Sequence, residues 1–221
     1  RVQQVIARRM TEAKTTAPDF ALDVEIDMGA ALALRERLKE RLAGSERPVP
    51  TVGDFVIKAC GLALREHPRA NGAFRGDHVE LFDRVNIGVA VAAGEALYVP
   101  TVFDADQRSL GQIAADVRRL AAAAREGRLT AAELEGATFT VSNLGMFGIE
   151  AFTAVLNPPQ AAILAVGAVR ERPVARDGRL VLGQTMVARL TCDHRILNGA
   201  DGAALLVRVR ELLETPELLL L

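Results

Sequence analysis

The chain has 221 residues, of which 50% are hydrophobic and 25% are charged, enough for one large domain or two small ones with a hydrophobic core. Its 27 Lys and Arg residues are balanced by 28 Asp and Glu residues, so a net charge of -1 gives no overall positive field for nucleic acid. The longest apolar stretch, residues 161–169, is shorter than the roughly 20 residues that span a bilayer, and no signal-peptide pattern opens the chain. We therefore expect no nucleic-acid partner, no membrane segment and a cytoplasmic location.

The first half of the chain combines helical and strand-like hydrophobic patterns. In order, they predict a helix over residues 1–16, a strand over 20–26, a helix over 27–42, a largely buried helix over 51–64, and short strands around 79–82, 85–92 and 97–103. Asp27 is the expected cap of the second of these helices. Thr51 and Asp54 form a T-x-x-D capping box at the start of the third.

The second half begins with a helix and continues mostly as strands. Ser109 and Gln112 form an S-x-x-Q capping box, which predicts a helix ending near Gly127. Strands are then expected within residues 137–148, 161–169, 173–183 and 185–192, with a hairpin turn at residues 177–178. A closing helix begins at about residue 200 and is followed by an apolar tail.

These elements predict the class of fold. Strands and helices are mixed without regular βαβ order, which favours an α/β fold of the α+β type, a sandwich of a mixed sheet and flanking helices. The sequence contains neither GxGxxG nor GxxxxGK[ST], so the nucleotide-binding folds are not expected. No repeat and no interdomain linker is visible, and residues 1–221 are expected to form a single domain.

Few cysteine and histidine residues are present in the chain. The two cysteines, Cys60 and Cys192, are far apart and form no CxxC pair, so we expect neither a disulfide framework nor a metal site. The three histidines are His67, His78 and His194. Loop-like surroundings place the first two at the surface, which leaves His194 as the candidate for imidazole chemistry.

His194 lies in a short stretch that concentrates several polar side chains. Met186, Ala188, Leu190, Cys192 and His194 share one face of a predicted strand, and Asn198 follows at the expected N-cap of the last helix. A lone histidine on an apolar face is usually a core residue bound to one backbone carbonyl. The stretch CDHRILNGA, however, adds an acid, a guanidinium and an amide, and leaving such groups buried and unpaired costs about 1 to 3 kcal/mol each.

The same stretch carries a resemblance to a known family. CDHRILNGAD resembles the H-x-x-x-(Asp or Asn)-G motif of the dihydrolipoamide acyltransferases, the core subunits of 2-oxo acid dehydrogenase complexes, and of chloramphenicol acetyltransferase. ATFTVSNLGMFGIEAFTAVLNPPQAAILAVGAV, VNIGVAVAAGEALYVPTVFDADQRSL and IARRMTEAKTTAPDF are similar to further blocks of that family, in the same order. The resemblance therefore extends over the whole chain and implies a chloramphenicol-acetyltransferase-like fold.

The resemblance implies an acyltransferase reaction and its catalytic residues. An acyl group would pass between a dihydrolipoyl thiol and coenzyme A, and the resemblance of SNLGMFGI and NPPQAAILAVG to acetyltransferase members favours acetyl. His194 would be the general base and Ser142 the donor to the oxyanion. Asn198, where many members have aspartate, would orient by hydrogen bonding, and Asp193 and Arg195 would form a structural ion pair that holds the loop.

Other residues have weaker assignments. Leu144, Met146, Phe147 and Phe152 either line an apolar path for the substrate arms or simply pack in the core. Lys58 either snorkels out of its apolar helix or binds a ligand phosphate. Cys192 offers a nucleophile beside His194 as an alternative mechanism, although two side chains parallel along a strand do not face each other.

The resemblance also implies an assembly. A homotrimer would place His194 and Asn198 of one chain opposite Ser142 of the next, and the leucines of residues 218–221 would join trimers into a larger cubic or dodecahedral core. The lipoyl and peripheral-subunit-binding domains are absent from this sequence, so the lipoyl group, the decarboxylase and the dihydrolipoamide dehydrogenase would be engaged through domains outside it.

Three alternatives to acetyl transfer remain at this level. One is transfer of a branched-chain or succinyl group within the same family. Another is a free-standing acyltransferase that acts on a small alcohol or amine, as in the chloramphenicol branch of the fold. The third is a noncatalytic scaffold that uses the fold only for assembly.

Overall fold

A computed structural model describes residues 2–94, 96–176 and 178–220 of the chain. Its helices are α1 (Val2–Thr16), α2 (Gly29–Leu42), α3 (Val52–Glu66), α4 (Leu110–Arg125) and α5 (Gly199–Glu214). Its strands are β1 (Asp19–Asp27), β2 (Gly72–Phe74), β3 (Val79–Leu81), β4 (Ile87–Val89), β5 (Val91–Ala93), β6 (Ala96–Tyr98), β7 (Thr101–Val102), β8 (Phe139–Asn143), β9 (Ala162–Val166), β10 (Arg170–Arg176) and β11 (Arg179–Asp193). Short 3-10 helices cover Pro68–Ala70, Ala132–Leu134, Gly145–Phe147 and Pro216–Leu220.

The main sheet is mixed, as the sequence predicts. Its strand order is β1-β11-β9-β8-β4-β7, and β10 pairs with the first part of the long strand β11. The pairs β4/β8 and β8/β9 are parallel, whereas β1, β10 and β9 all run antiparallel to β11. Helices α2, α3 and α5 pack together over this sheet, and α4 packs against α3. The predicted fold of a mixed sheet flanked by helices is confirmed.

The capping signals place the helices accurately. Thr51 with Asp54 and Ser109 with Gln112 both form complete capping boxes, and α3 is largely buried as expected. The cap predicted at Asp27 is wrong by one residue, because Met28 occupies the N-cap position of α2. The Asp27 carboxylate still accepts a hydrogen bond of 2.9 Å from the Gly29 amide.

The strands between α3 and α4 depart most from the prediction. The expected strand over residues 85–92 is divided into β4 and β5, and the expected strand over 97–103 is divided into β6 and β7. β4 and β7 belong to the main sheet, whereas β5 and β6 form a separate hairpin. The division follows the long-range pairing of β4 with β8, which hydrophobic alternation cannot reveal. The short strand β2 was not predicted at all.

The two ends of the chain also refine the prediction. The sequence predicts an apolar side of the first helix that comprises Val2, Val5, Ile6 and Met10. The side chains of the first three lie outside the described residues, and Met10 is half-buried. At the other end, the tail is not wholly exposed, because Leu219 is buried in the main core while Leu220 is 56% exposed. Residue 221 lies outside the described part, as does residue 177 of the predicted hairpin turn. In the described chain, no helix is both long and apolar enough to cross a membrane.

Candidate functional site

The turn between β11 and α5, residues 194–198, carries two of the predicted site residues. Asp193, the last residue of β11, is 3% exposed and receives the Arg195 guanidinium at 2.9 and 2.6 Å. This is the expected ion pair, and the hydrogen bonds that Arg195 donates to the Asp193 carboxylate raise the pKa of Arg195. The Arg195 guanidinium also lies 4.3 Å from the ring centre of Phe74 on β2. The start of the turn is therefore held by charge, hydrogen bonds and a cation-π contact.

His194 is exposed, although the sequence placed it on the buried face of the strand. Its predecessors on that face, from Met186 to Cys192, are buried, but the strand ends at Asp193 and the alternation ends with it. The His194 amide donates to the carbonyl of Pro18 at 2.8 Å, and the ring centre lies 4.7 Å from that of Phe20. The main chain is thus fixed to the start of β1, while the imidazole remains accessible.

Asn198 occupies the N-cap of α5, as predicted. Its Oδ1 accepts hydrogen bonds from the amides of Ala200 and Asp201 at 2.8 and 2.9 Å. The Asp201 carboxylate in return accepts from the Asn198 amide at 3.1 Å, which completes a capping box. Among the described residues no hydrogen bond links Asn198 to His194. The expected orienting role of Asn198 therefore stays a prediction.

Ser142 lies one residue before the end of β8 and is half-buried. It pairs in register with Ala165 on β9, so both side chains point to the same face of the sheet. No hydrogen bond joins its hydroxyl to another described residue. That hydroxyl is therefore available to a group outside the described chain.

The segment after Ser142 is clamped to the end of β9. The Leu144 amide donates to the Val166 carbonyl at 3.1 Å, and the Ala168 amide donates to the Ile149 carbonyl at 2.7 Å. Gly167 lies between these bonds, and a Cβ atom at this position would overlap the backbone carbonyl of Glu150. Glycine is required here because two main chains approach closely. Gly167 was not predicted from the sequence, because no local signal marks a close approach of two distant main chains.

One copy of the chain does not bring Ser142 and His194 together. Ser142 pairs with Ala165, whereas the Asp193 amide binds the carbonyl of Ala161 on the approach to β9. The two residues are thus about five positions apart along the strands and two strands apart across the sheet, which corresponds to a Cα separation of about 19 Å. A direct hydrogen bond needs about 3.5 Å or less between donor and acceptor. Within one chain, the pair cannot act on the same carbonyl group.

The expected apolar path is not closed within one chain. Met146 and Phe147 are 73% and 68% exposed, and Leu144 is half-buried. Phe152 packs against a small cluster that includes Ala154 and Ala165. The interpretation that Met146 and Phe147 pack in the core is therefore wrong, because their 3-10 turn projects beyond the end of the sheet.

The Lys58 ammonium is not directed outward as one interpretation expected. Lys58 is 5% exposed, and its Nζ donates to the backbone carbonyl of Asp106 at 2.8 Å. Burial lowers the pKa of this lysine. It lines a cleft of about 890 Å³ with aliphatic residues of α2 and the C-terminal 3-10 helix, and this lining includes neither Ser142 nor His194. The phosphate-binding alternative stays a prediction.

The remaining cysteine and histidine residues do not form a second site. Burial raises the pKa of Cys192 to about 12 and raises the pKa of Cys60 as well, so both thiols stay protonated near neutral pH. His78 is exposed beside Asp77, and His67 is half-buried at the end of α3 rather than at the surface. Within residues 2–94, 96–176 and 178–220, no cluster of three or more His, Cys, Asp or Glu residues could hold a metal ion.

Arg69 is a further contact of the His194 turn that the sequence did not reveal. Its guanidinium donates to the carbonyl of Ile196 at 2.7 Å and lies 3.8 Å from the Asp201 carboxylate. Arg69 and Ile196 are separated by 127 residues in the chain. No local motif predicts a contact over such a distance.

Known proteins resemble this chain over its whole length. The family model described as 2-oxoacid dehydrogenases acyltransferase (catalytic domain) matches residues 1–221. The dihydrolipoyllysine-residue acetyltransferase component of the pyruvate dehydrogenase complex of Zymomonas mobilis is 41% identical over 215 residues, covering 97% of this chain and 49% of that protein. The chain spans about half the length of the curated relatives it matches.

Solved structures give the same result. Dihydrolipoamide acetyltransferase of Azotobacter vinelandii is 32% identical to this chain, with a TM-score of 0.94. That structure belongs to a crystallographic and enzymatic investigation of the role of a serine, a histidine and an asparagine in the catalytic mechanism of that enzyme. The cubic core of the pyruvate dehydrogenase multienzyme complex has the same identity and TM-score, and each structure covers 100% of this chain and 91% of its own. A chloramphenicol acetyltransferase, 16% identical with a TM-score of 0.58 over 93% of this chain and 94% of its own, shares the fold.

The expected resemblance is confirmed by these comparisons. Sequence identity, coverage and structural similarity agree, and the fold similarity to chloramphenicol acetyltransferase agrees with the expected architecture. The chain therefore belongs to the 2-oxoacid dehydrogenase acyltransferase family, whose catalytic domain it matches over residues 1–221.

Proposed function

We propose that this chain catalyses acetyl transfer between a dihydrolipoyl thiol and coenzyme A, as the single catalytic domain of a larger protein. The observation that carries the proposal is the spacing of three residues. In the Azotobacter vinelandii enzyme, the histidine follows the serine by 52 residues and the asparagine follows the histidine by four. Ser142, His194 and Asn198 have the same spacing here, on a structurally similar chain.

In this proposal the neutral imidazole of His194 removes the proton from the attacking thiol. The sulfur then bonds to the thioester carbonyl carbon, and the carbonyl oxygen becomes an oxyanion that the Ser142 hydroxyl stabilises by donating a hydrogen bond. When the tetrahedral intermediate collapses, the bond to the leaving sulfur breaks. The imidazolium returns its proton to that sulfur, so no acyl-enzyme intermediate is required.

The free energies of proton transfer and oxyanion stabilisation are consistent with the roles proposed for His194 and Ser142. A thiol has a reference pKa near 8.5 and an imidazole near 6.5, so transfer of the proton costs about 2.7 kcal/mol unless the site assists it. A preorganised donor to the oxyanion contributes about 2.7 to 4 kcal/mol. The accessible ring of His194 and the unpaired Ser142 hydroxyl are compatible with these roles.

The distance between the two residues supports an assembly in which the site lies between copies. Because Ser142 and His194 are about 19 Å apart within one chain, we propose a homotrimer in which His194 and Asn198 of one copy face Ser142 of the next. The exposed Met146 and Phe147, next to Ser142, would then border the substrate path at the subunit boundary. The similarity to a cubic core supports further association of trimers into a larger particle.

The remaining partners are proposed from the share of the relatives that the chain covers. The curated relatives are about twice as long, so we infer that the lipoyl group is carried on a domain outside this sequence. The decarboxylase and the dihydrolipoamide dehydrogenase would be bound through such domains as well. Coenzyme A is the second substrate in this scheme.

The proposal is tested by the rate of acetyl transfer from acetyl-CoA to dihydrolipoamide. His194→Ala is expected to lower kcat by about 10²- to 10⁴-fold, the usual contribution of a general base. His78→Ala is the matched control, because His78 is an exposed histidine paired only with Asp77, and it should keep the wild-type rate. Succinyl- and isobutyryl-CoA, assayed in parallel, define the acyl preference.

Two results would contradict the proposal. Wild-type protein that acetylates small alcohols or amines but not dihydrolipoamide would assign the chain to a free-standing acyltransferase. Equal rates for wild type and His194→Ala, with an unchanged oligomer, would exclude the role of the imidazole as base.

A further inference from the structure

The turn that carries His194 and Asn198 is held at both ends by its own residues. Asp193 and Arg195 fix the strand end, and Asn198 with Asp201 caps the helix start. Between them, the side chains of Ile196 and Leu197 are each 1% exposed. The centre of the turn is therefore anchored in the core, but none of these contacts connects the centre of the turn to the helix cap.

Arg69 provides that connection from a distant part of the chain. It lies in the 3-10 helix that follows α3, with Ala70 buried next to it. Its Nη2 donates to the Ile196 carbonyl at 2.7 Å, and its Nε lies 3.8 Å from the Asp201 Oδ2 atom. The same oxygen accepts the amide of Asn198. One planar guanidinium thus spans the middle of the turn and the helix cap.

We propose that Arg69 is a positioning residue for acyl transfer, acting through the turn that presents His194. By joining the Ile196 carbonyl to Asp201, it fixes where α5 begins relative to the end of β11, and so fixes the imidazole relative to the thiol. This inference rests on the proposed function of His194. It adds a residue that touches neither substrate nor imidazole.

Arg208 is a suitable comparison because it is another arginine whose guanidinium joins α5 to a distant segment of the chain, but away from the turn. Its guanidinium donates to both carboxylate oxygens of Glu66 at 2.8 and 3.0 Å and links α5 to the end of α3. Removal of Arg208 therefore perturbs the contact of α5 with the end of α3 without removing a contact of residues 194–198. A loss of acetyl-transfer activity in Arg69→Ala but not in Arg208→Ala cannot then be attributed to weaker packing of α5 in general.

The experiment compares Arg69→Ala, Arg69→Lys and Arg208→Ala in acetyl transfer and in hydrogen exchange. Because misplacement of a reacting group by about 1 Å can cost up to 10²-fold, we expect Arg69→Ala to lower kcat by about tenfold with unchanged KM for both substrates. Amides of residues 194–198 should exchange faster in this variant only. Arg69→Lys, whose single ammonium can reach one acceptor at a time, should lie between it and the wild type.

The outcomes separate this inference from the proposed function. A wild type without acyl transfer refutes the proposed function itself, and hydrogen exchange still reports whether Arg69 fixes the turn. An active wild type with an unchanged kcat in Arg69→Ala overturns the positioning role. An equal loss in Arg208→Ala, or a loss that appears in KM alone, also overturns it.

Discussion

His194 combines a fixed main chain with an exposed ring. Its amide is bound to Pro18, and its ring rests against Phe20, but the imidazole stands clear of the core. A general base needs a defined position and access to the substrate proton, and this arrangement supplies both. The buried Cys192 has the opposite properties, because its thiol is desolvated and its pKa is raised to about 12. The alternative cysteine mechanism is therefore disfavoured near neutral pH.

The Asp193–Arg195 pair gives a prediction at the residue scale. In Asp193→Asn, the buried carboxylate loses its charge while Arg195 keeps its own, so we expect the free energy of unfolding to fall by about 2 kcal/mol. Urea denaturation measures the change. Asp104→Asn is the control, because its side chain is 30% exposed against 4% for Asp193, and the more exposed pair with Arg84 should be worth less than about 1 kcal/mol. Equal losses of unfolding free energy in the two variants would show that the buried Asp193–Arg195 pair stabilises the fold no more than the more exposed pair does.

At the scale of elements, the turn after β8 depends on a glycine in another strand connection. The side chain of Gly167→Ala would overlap the carbonyl of Glu150 and push residues 144–150 away from β9. We expect a loss of about 1 to 3 kcal/mol in unfolding free energy and a lower kcat, because Ser142 immediately precedes the displaced segment.

Gly111 on α4 supplies the matched control for this substitution. A Cβ at Gly111 meets nothing within 4 Å, so Gly111→Ala should leave kcat unchanged and raise helix stability by up to about 1 kcal/mol. Thermal unfolding and steady-state kinetics check both variants. A Gly167→Ala protein with wild-type stability and rate would show that the turn can move without consequence.

The start of α3 gives a prediction about pH. Asp54 is 2% exposed, one of its oxygens lacks a hydrogen-bond partner among the described residues, and burial raises its pKa above the usual value. A carboxyl with a raised folded-state pKa contributes stability below its unfolded pKa, and that contribution is lost as the pH rises through the folded value. The wild type should therefore lose stability relative to Asp54→Asn between pH 4 and pH 7, roughly the range above the reference pKa of aspartate.

Urea denaturation at several pH values measures this difference. Loss of the Thr51 hydrogen bonds to Asp54 also shifts the stability of the variant at every pH, so the absolute difference is not diagnostic and only its change with pH is. A stability difference that is constant over the range, or that grows in favour of the wild type, would contradict the raised pKa.

The sequence predicted the elements that local signals define and missed those that distant contacts define. Capping boxes of four residues predicted the starts of α3 and α4, and the N-cap residue Asn198 predicted the start of α5. The division of residues 85–103 between two sheets depends on the pairing of β4 with β8, about 50 residues away, which no local pattern carries. At the site, His194 and Asn198 stood in one readable motif. Gly167 and Arg69 belong to no such motif, because each is defined by its contact with the backbone of a distant segment: Gly167 lies against the Glu150 carbonyl and Arg69 donates to the Ile196 carbonyl.

At the scale of the whole molecule, the sheet separates the two groups that the proposed reaction requires. Ser142 lies near the end of β8 and His194 beyond the opposite end of the β9 pairing, about 19 Å apart. A second copy of the chain is the simplest source of the missing partner, since closed symmetric oligomers repeat one interface and complete every site in the same way. The account therefore requires that activity belongs to the assembly and not to the single chain.

The most direct test of this claim is complementation between two inactive variants. His194→Ala and Ser142→Ala are co-expressed in equal amounts, and acetyl transfer to dihydrolipoamide is compared with that of each variant alone. If His194 of one copy acts with Ser142 of the next, random mixing gives about a quarter of the sites both native residues, so about a quarter of the wild-type rate should return. If both residues act within one chain, no site is restored, and a mixed assembly no faster than the average of its parents would contradict the account.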